Sequence, residues 1–350
     1  MTAFTPRFEP PVIAPVDPAL AKALRAKIDG LAKPPGALGE LEDLAVRIGL
    51  IQSRLDPTVD RVRAYVFAGD HGLTAEGVSA YPSAVTAAMV ATFLAGRASV
   101  NALARACGVE VVVVDAGVDA DMGARPGLID AKIRRGTRNA ALESALTAAE
   151  VDGALARGQA FAEAAADDGV DALIPGEMGI GNTASAALIM HRLAPTPLDA
   201  CIGAGAGHDA AGLERKRQAL ERAAARSDAR APLDVLAEFG GLEIAMMAGL
   251  ILGGAARRRV LIIDGFISST AALAAIRLVP AARAYCVFAH ASAELGHARL
   301  LEALEARPLL RLGMRLGEGT AGVLAAPLVR SAAAVLREVA SLDDVVSGRL

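Results

Sequence analysis

The chain has 350 residues, 53% of them hydrophobic, and sets 36 Lys and Arg against 39 Asp and Glu for a formal charge of −3. That apolar share excludes a disordered chain and supplies the core of one large domain or two unequal lobes. The near-balanced charge, with no basic stripe interleaved with aromatics, gives no sign of a nucleic-acid partner.

The segment Met1-Thr2-Ala3-Phe4-Thr5-Pro6 lacks a basic stretch followed by an apolar one, which predicts no signal peptide. Cys107, Cys201 and Cys286 are far apart, odd in number and outside any Cys/His metal spacing, so free thiols in a reducing cytoplasm are expected. Pro10-Pro11, Pro15 and Pro18 make an extended lead-in. Ala19 to Leu31 then reads as a helix, stopped by Lys33-Pro34-Pro35-Gly36.

Beyond residue 50, short β-branched runs alternate with Ala/Leu-rich helical stretches. Six runs are read as strands: Val62 to Ala68, Glu110 to Val114, Ala172 to Pro175, Leu198 to Ile202, Val260 to Ile263 and Ala284 to Phe288. Each ends in Gly, Asp or His. Continuous apolar strands with intervening helices predict an α/β fold with a mostly parallel six-stranded sheet covered on both faces. The longest apolar stretch, Ile244 to Ala256, is broken by three glycines and too short to span a bilayer, so it reads as a buried helix. Arg257-Arg258-Arg259 reads as its solvated end. Residues 295–350 look helical from Leu295 to Leu304 and from Gly322 to Glu338, with a frayed tail. Residues 1–50 and 295–350 are therefore expected to form a small helical lobe beside an α/β domain of residues 51–294.

In such sheets ligands bind beyond the carboxyl ends of the strands. Two glycine-rich segments sit there, Gly176-Glu177-Met178-Gly179-Ile180-Gly181-Asn182-Thr183 and Gly203-Ala204-Gly205-Ala206-Gly207-His208-Asp209. Each opens a helix, whose free N–H groups attract an anion. Neither is a Walker A loop or a G-x-G-x-x-G fingerprint, so a phosphate-bearing ligand is expected without a dinucleotide cofactor. Lys216 either reaches that phosphate as a point charge or is a solvated helix lysine between Arg215 and Arg217. Asp70-His71 reads equally as an acid/base pair or as a hydrogen-bonded turn. His290 and His297 read as structural or surface residues, and no histidine spacing suggests a metal.

The segment Leu316-Gly317-Glu318-Gly319-Thr320-Ala321-Gly322 sets one carboxylate among glycines beside an apolar run. Locally that is a turn glutamate facing water. Held in a dry crevice, it is a carboxyl of raised pKa suited to general-base work.

Taken together, these segments resemble the nicotinate-nucleotide–dimethylbenzimidazole phosphoribosyltransferase family. The resemblance is carried by Lys33 to Gly39 with Leu41-Glu42, by Phe67 to Gly72, and by Glu76 to Pro82. It continues through Gly176 to Thr183, Gly203 to His208, Phe239-Gly240-Gly241, Asp264-Gly265-Phe266 and Gly317 to Thr320. It implies a Rossmann-like domain, a helical lobe from both chain ends, a homodimer and no metal or other cofactor. The implied substrates are nicotinate mononucleotide and 5,6-dimethylbenzimidazole, and the implied products α-ribazole 5′-phosphate and nicotinate. Glu318 is then the general base, with Glu177 second to it. Gly179, Gly181, Asn182, Thr183, Gly203, Gly205, Gly207 and Lys216 are expected to hold the nucleotide phosphate. Tyr81, Ala88, Met89, Met178 and Leu316 are expected to line the acceptor-base pocket. Ser83 and Ala88 stand where relatives often carry glutamine, which leaves the acceptor base open among benzimidazole, methyl-substituted rings and purines. Two alternatives remain. One is a phosphoribosyl-pyrophosphate enzyme, suggested by Leu261 to Thr270; the other is a nucleotide-binding sensor that kept the fold and lost catalysis.

Overall fold

A computed structural model describes residues 7–203, 205, 207 and 209–349. Asp17 caps the first helix by accepting from Ala19 N, and Pro18 opens it, giving α1 (Pro18–Asp29). The Pro-Pro-Gly turn separates it from α2 (Glu40–Gln52). Strand β1 (Val62–Gly69) is buried along its whole length. Helices α3 (Ala84–Leu94) and α4 (Ser99–Cys107) lead to β2 (Glu110–Gly117) and the three-residue β3 (Leu128–Asp130). Thr147 and Glu150 form a reciprocal cap on α5 (Ala148–Asp167), which feeds β4 (Ala172–Met178). Next come α6 (Asn182–Leu193), α7 (Ala210–Arg226), α8 (Pro232–Phe239) and α9 (Leu242–Ala256). Strand β5 (Val260–Ile263), α10 (Phe266–Leu278), β6 (Cys286–Phe288), α11 (His297–Ala303), α12 (Thr320–Glu338) and α13 (Leu342–Ser347) complete the chain.

The sheet is parallel throughout, in the order β3-β2-β1-β4-β5-β6. The order reverses between β1 and β4, which opens a crevice beyond their carboxyl ends. Alternation along β4 sorts the covering helices. A methyl group at Gly254 of α9 would press on Leu173, and one at Gly322 of α12 would press on Ile174. Adjacent strand residues point to opposite faces, so α9 covers one side and α12 the other. Helix α9 is buried from Leu242 to Ala255 because it lies between the sheet and α5.

The chain ends meet. Ala32 N donates to Ala340 O at 2.8 Å and Leu342 N to Gly30 O at 2.9 Å. Helix α12 packs on α1, α2 and α4, whereas α11 packs on α10. Two helical stretches, Ala84–Cys107 and Thr320–Glu338, are long and apolar enough by composition to cross a membrane. Both are built into this α/β unit, through contacts of α3 and α4 with the sheet and of α12 with β4 and β5.

Three expectations need correction. Leu198 to Ile202 is not a strand: Leu198–Ala200 is a 3-10 turn. Pro197 opens it, and Ala200 N and Cys201 N donate back to Pro197 O and Leu198 O. The sixth strand is instead β3, a short, largely exposed edge that pairs with β2. The tail is not frayed throughout, since Ser341 accepts from Asp344 N and starts α13. The arginines after α9 are half-buried rather than solvated: Arg257 pairs with Asp167, Arg258 donates to Ile51 O and Arg259 to Val170 O. Cys201 and Cys286 are buried free thiols, pushed up by burial to about 12 and about 11, and Cys107 is half-buried.

Helices α5 and α9 approach closely at glycines. A side chain at Gly158 would collide with Met246 O, and one at Gly249 with Leu155 O. Gly249→Val should therefore destabilise the fold by about 3 kcal/mol, the cost of overpacking a contact that cannot yield. Thermal unfolding monitored by circular dichroism would register it, and an unchanged Tm would disprove the close contact.

Candidate active site

Beyond the ends of β4, β5 and β6 lies a cavity of about 440 Å³. Glu177 and Met178 reach it from β4, Asp264 and Gly265 from β5, and Ser292 and Glu294 from the loop after β6. The Arg315 to Glu318 segment forms a further wall, and Tyr81, Val85 and Met89 another.

Glu318 is 5% exposed. Burial raises its carboxyl above the ordinary range, opposed by the N–H of Val100 at the start of α4, which donates to Oε2 at 3.2 Å. Its backbone has φ 65, a left-handed conformation that costs a side-chain-bearing residue of order 1–3 kcal/mol. Three contacts hold it there. A methyl at Gly176 would sit 2.7 Å from Glu318 O, so only glycine lets β4 pass beneath that peptide. Glu318 N donates to Glu177 O at 3.2 Å. Asp264, at the end of β5, accepts from Gly319 N at 3.2 Å and from Gly322 N at 2.9 Å. It thereby fixes the first turn of α12 immediately after the glutamate.

Three carboxyl groups thus crowd one crevice. Burial pushes Glu177 up to about 8, helped by the charges of Asp264, Glu243 and Glu318 and opposed by Asn182 Nδ2, which donates to Glu177 Oε2. Burial likewise pushes Asp264 up to about 7, against the amides it accepts. Glu177 is therefore mostly protonated at neutral pH and can donate a hydrogen bond into the cavity.

The first glycine segment rides on the end of β1. A side chain at Gly179 would collide with Gly69 O, and Gly181 (φ 95) packs against Thr74 and His71. Beneath it His71 Nε2 donates to Glu243 Oε1 at 2.6 Å, both fully enclosed. Burial opposes the imidazolium charge, but Glu243 and Asp70 outweigh it and raise the His71 pKa. Asp70 Oδ2 accepts from Asp119 N at 2.8 Å. Asp70-His71 is thus a buried ionic support under the loop, and neither residue lines the cavity.

The second glycine segment differs from expectation. Ala204, Ala206 and His208 lie outside the described residues. The segment follows a turn rather than a strand, and Asp209 caps α7 itself by accepting from Gly212 N at 2.7 Å. The end of α7 therefore already holds a carboxylate. Lys216, fully buried, runs back to donate to Thr183 Oγ1 at 3.0 Å and to Gly203 O at 2.9 Å. Burial pulls its ammonium down to about 8, with the Glu294 charge acting the other way.

Of the residues read from the sequence, Glu318, Glu177, Gly179, Asn182, Thr183, Gly205, Tyr81, Met89, Met178 and Leu316 line the cavity. Gly181, Gly203 and Lys216 stand behind it. Gly207 is exposed, and Ala88 faces outward on α3, so neither lines it. His290 and His297 are both fully buried. Sequence reasoning missed Ser292, Glu294, Arg315 and the role of Asp264. The loop after the sixth predicted strand was the signal for the first two, because parallel sheets place ligands there. Among the described residues no group of three or more His, Cys, Asp or Glu has the geometry to hold a metal ion.

Comparison with known proteins agrees over nearly the whole chain. A family profile described as a phosphoribosyltransferase matches residues 13–346. The nicotinate-nucleotide–dimethylbenzimidazole phosphoribosyltransferase of Ralstonia nicotianae is 56% identical over 332 residues, 94% of this chain and 94% of that one. The protein of the same name from Cupriavidus necator is 52% identical over 334 residues, covering 95% and 96%. The crystal structure of CobT from Thermus thermophilus superposes with a TM-score of 0.91 at 43% identity, covering 94% of this chain and 99% of that one. With the cavity beyond the strand ends and its enclosed glutamate, this match assigns the lineage: the chain belongs to the nicotinate-nucleotide–dimethylbenzimidazole phosphoribosyltransferase family.

Proposed function

We propose that the protein transfers the phosphoribosyl group of nicotinate mononucleotide to 5,6-dimethylbenzimidazole. The products are α-ribazole 5′-phosphate and nicotinate, a step of cobalamin lower-ligand synthesis. The observation that carries this reading is Glu318, an enclosed carboxyl of raised pKa beside an apolar slot, a few residues from a glycine-built cradle.

The nicotinate leaving group is a pyridinium and departs with the bonding pair of its C1′–N bond, so no acid need protonate it. One benzimidazole nitrogen forms the new bond to C1′ while the other surrenders its proton to Glu318. In-line attack converts the β to the α configuration, and holding both substrates in line supplies much of the acceleration. Met178, Met89, Tyr81 and Leu316 give the acceptor an apolar wall. Thr183, the Gly179 and Gly205 backbones and Lys216 hold the 5′-phosphate. Protonated Glu177 acts as a hydrogen-bond donor to the ribose rather than as a competing base. The pyrophosphate-donor alternative lacks a second acid, since Gly265 stands beside Asp264, and Asp264 itself braces the amides of Gly319 and Gly322. A homodimer, and a helical lobe of residues 1–50 and 295–350 beside the α/β body of 51–294, belong to the same reading.

The direct test is a product assay: protein, nicotinate mononucleotide and dimethylbenzimidazole should release nicotinate and form the α-riboside, and no release would end the proposal. Glu318→Gln should keep the fold and substrate binding yet cut kcat roughly 10²–10⁴-fold, the usual worth of a positioned base. Near-normal turnover would remove Glu318 from its role. Lys216→Met fills the buried space without the charge. It should raise the KM for the nucleotide about tenfold or more, as expected for a lost charged hydrogen bond, and leave the acceptor KM nearly unchanged. Equal rises in both would make Lys216 scaffold.

Glu177 also gives a pH signature. Its folded pKa of about 8 lies above its ordinary 4.5, so between those values the folded state holds a proton that the unfolded state has lost. Its contribution to stability therefore falls as pH rises through that window. Glu177→Gln should gain stability relative to the wild type from pH 4.5 to 8, with a constant difference below 4.5. A flat difference across the window in urea titrations would contradict the raised pKa.

A further inference from the structure

The loop after β6 carries a carboxylate into the phosphate cradle. Glu294 Oε1 accepts from Gly205 N at 3.3 Å. A methyl group at Gly203 would collide with the same oxygen, so the carboxylate is pressed against the loop backbone. Lys216 meets the same two glycines. Its Nζ is 3.5 Å from where a side chain at Gly205 would begin, and it uses two of its three N–H groups on Thr183 Oγ1 and Gly203 O. Glu294 and Thr183 both line the cavity. A backbone amide, a buried ammonium and a glycine-lined approach are the fittings of a phosphate subsite, and here a side-chain anion uses them.

The loop that presents Glu294 is fixed at both ends. Ser292 N donates to His297 Nδ1 at 2.9 Å, and the other ring nitrogen of His297 lies 3.0 Å from Ser269 Oγ. Burial holds His297 down to about 3, with His290 adding to the effect, so its ring stays neutral and keeps the acceptor that Ser292 needs. Ala293 N donates to Met314 O at 2.9 Å and His297 N to Glu294 O at 3.0 Å. With the backbone tied down, the glutamate can leave the cradle by side-chain rotation alone. It is half-buried at the cavity rim, so water is within reach once it turns.

We infer that Glu294 is an internal stand-in for the substrate phosphate: it occupies the Gly205 amide in the empty enzyme and is displaced when the nucleotide's phosphate enters. A dianion and a carboxylate cannot share one amide without strong repulsion, so one must go. The stand-in keeps the Gly205 amide and the buried Lys216 in their bound arrangement, at the expense of phosphate affinity. This inference rests on the phosphate cradle assigned above.

The test is calorimetric titration of the full-length wild type, Glu294→Gln and Glu294→Ala with inorganic phosphate and separately with nicotinate mononucleotide. Both variants should bind inorganic phosphate about tenfold more tightly than the wild type, the loss of one charge-assisted competitor. A brace that merely shapes the loop would give the opposite result, so unchanged or weaker phosphate binding in both variants would overturn the inference. Phosphate binding seen in the variants but too weak to measure in the wild type would support it, and none in any of the three would refute it. Nicotinate release by the wild type, assayed alongside, separates the two ideas. Tighter phosphate binding without wild-type turnover would uphold the stand-in while removing the assigned reaction.

Discussion

Everything at this site depends on how closely the ends of β4 and β5 let the start of α12 approach. Gly176 has no side chain, so the peptide of Glu318 rests directly on β4. Asp264 reaches up from β5 and takes two amides from the first turn of α12. The backbone of the glutamate is thus fixed against the ends of the sheet strands. The base proposed here must meet a ring proton at hydrogen-bond distance and needs such support, because small errors in placement cost large factors in rate.

The same crowding sets the electrostatics. Glu177, Asp264 and Glu318 share a poorly hydrated crevice with one amide donor, Asn182, and a few backbone N–H groups. They cannot all ionise together, so the crevice holds protons that free carboxylates would lose. Behind the cavity lies the opposite case, Lys216, whose ammonium burial pulls down to about 8. Buried acids thus gather at one wall of the cavity, while the buried cation stands behind it.

Much of this was legible in the residues. Val62 to Ala68 and Val260 to Ile263 are β-branched runs bounded by helical stretches, and both became strands. The glycines around Glu177 and Glu318 marked the crevice because they interrupt apolar sequence at strand and helix ends. Leu198 to Ile202 misled because its apolar letters resemble a strand, while Pro197 and Asp199 favour the turn that forms. Leu128–Asp130 could not be seen, since three mostly exposed residues carry no periodicity. Lys216 reads either as a phosphate contact or as a solvated lysine beside two arginines, yet it shares a helix face with Ala219, Leu220 and Ala223, all buried. That spacing was the available signal. Glu294 gave none beyond its position after a strand, because a carboxylate held by one distant amide leaves no mark in its own neighbourhood.

The left-handed backbone of Glu318 has an evolutionary consequence. Glycine adopts that geometry freely, so exchanging the acid for glycine would relax the turn and remove a charge from a dry place. Under the role proposed for Glu318, the hardiest version of this protein is thus a silent one. A lineage relieved of its reaction and selected only for durability would drift toward glycine at this position. A chain that still carries the acid there is holding a costly part in service.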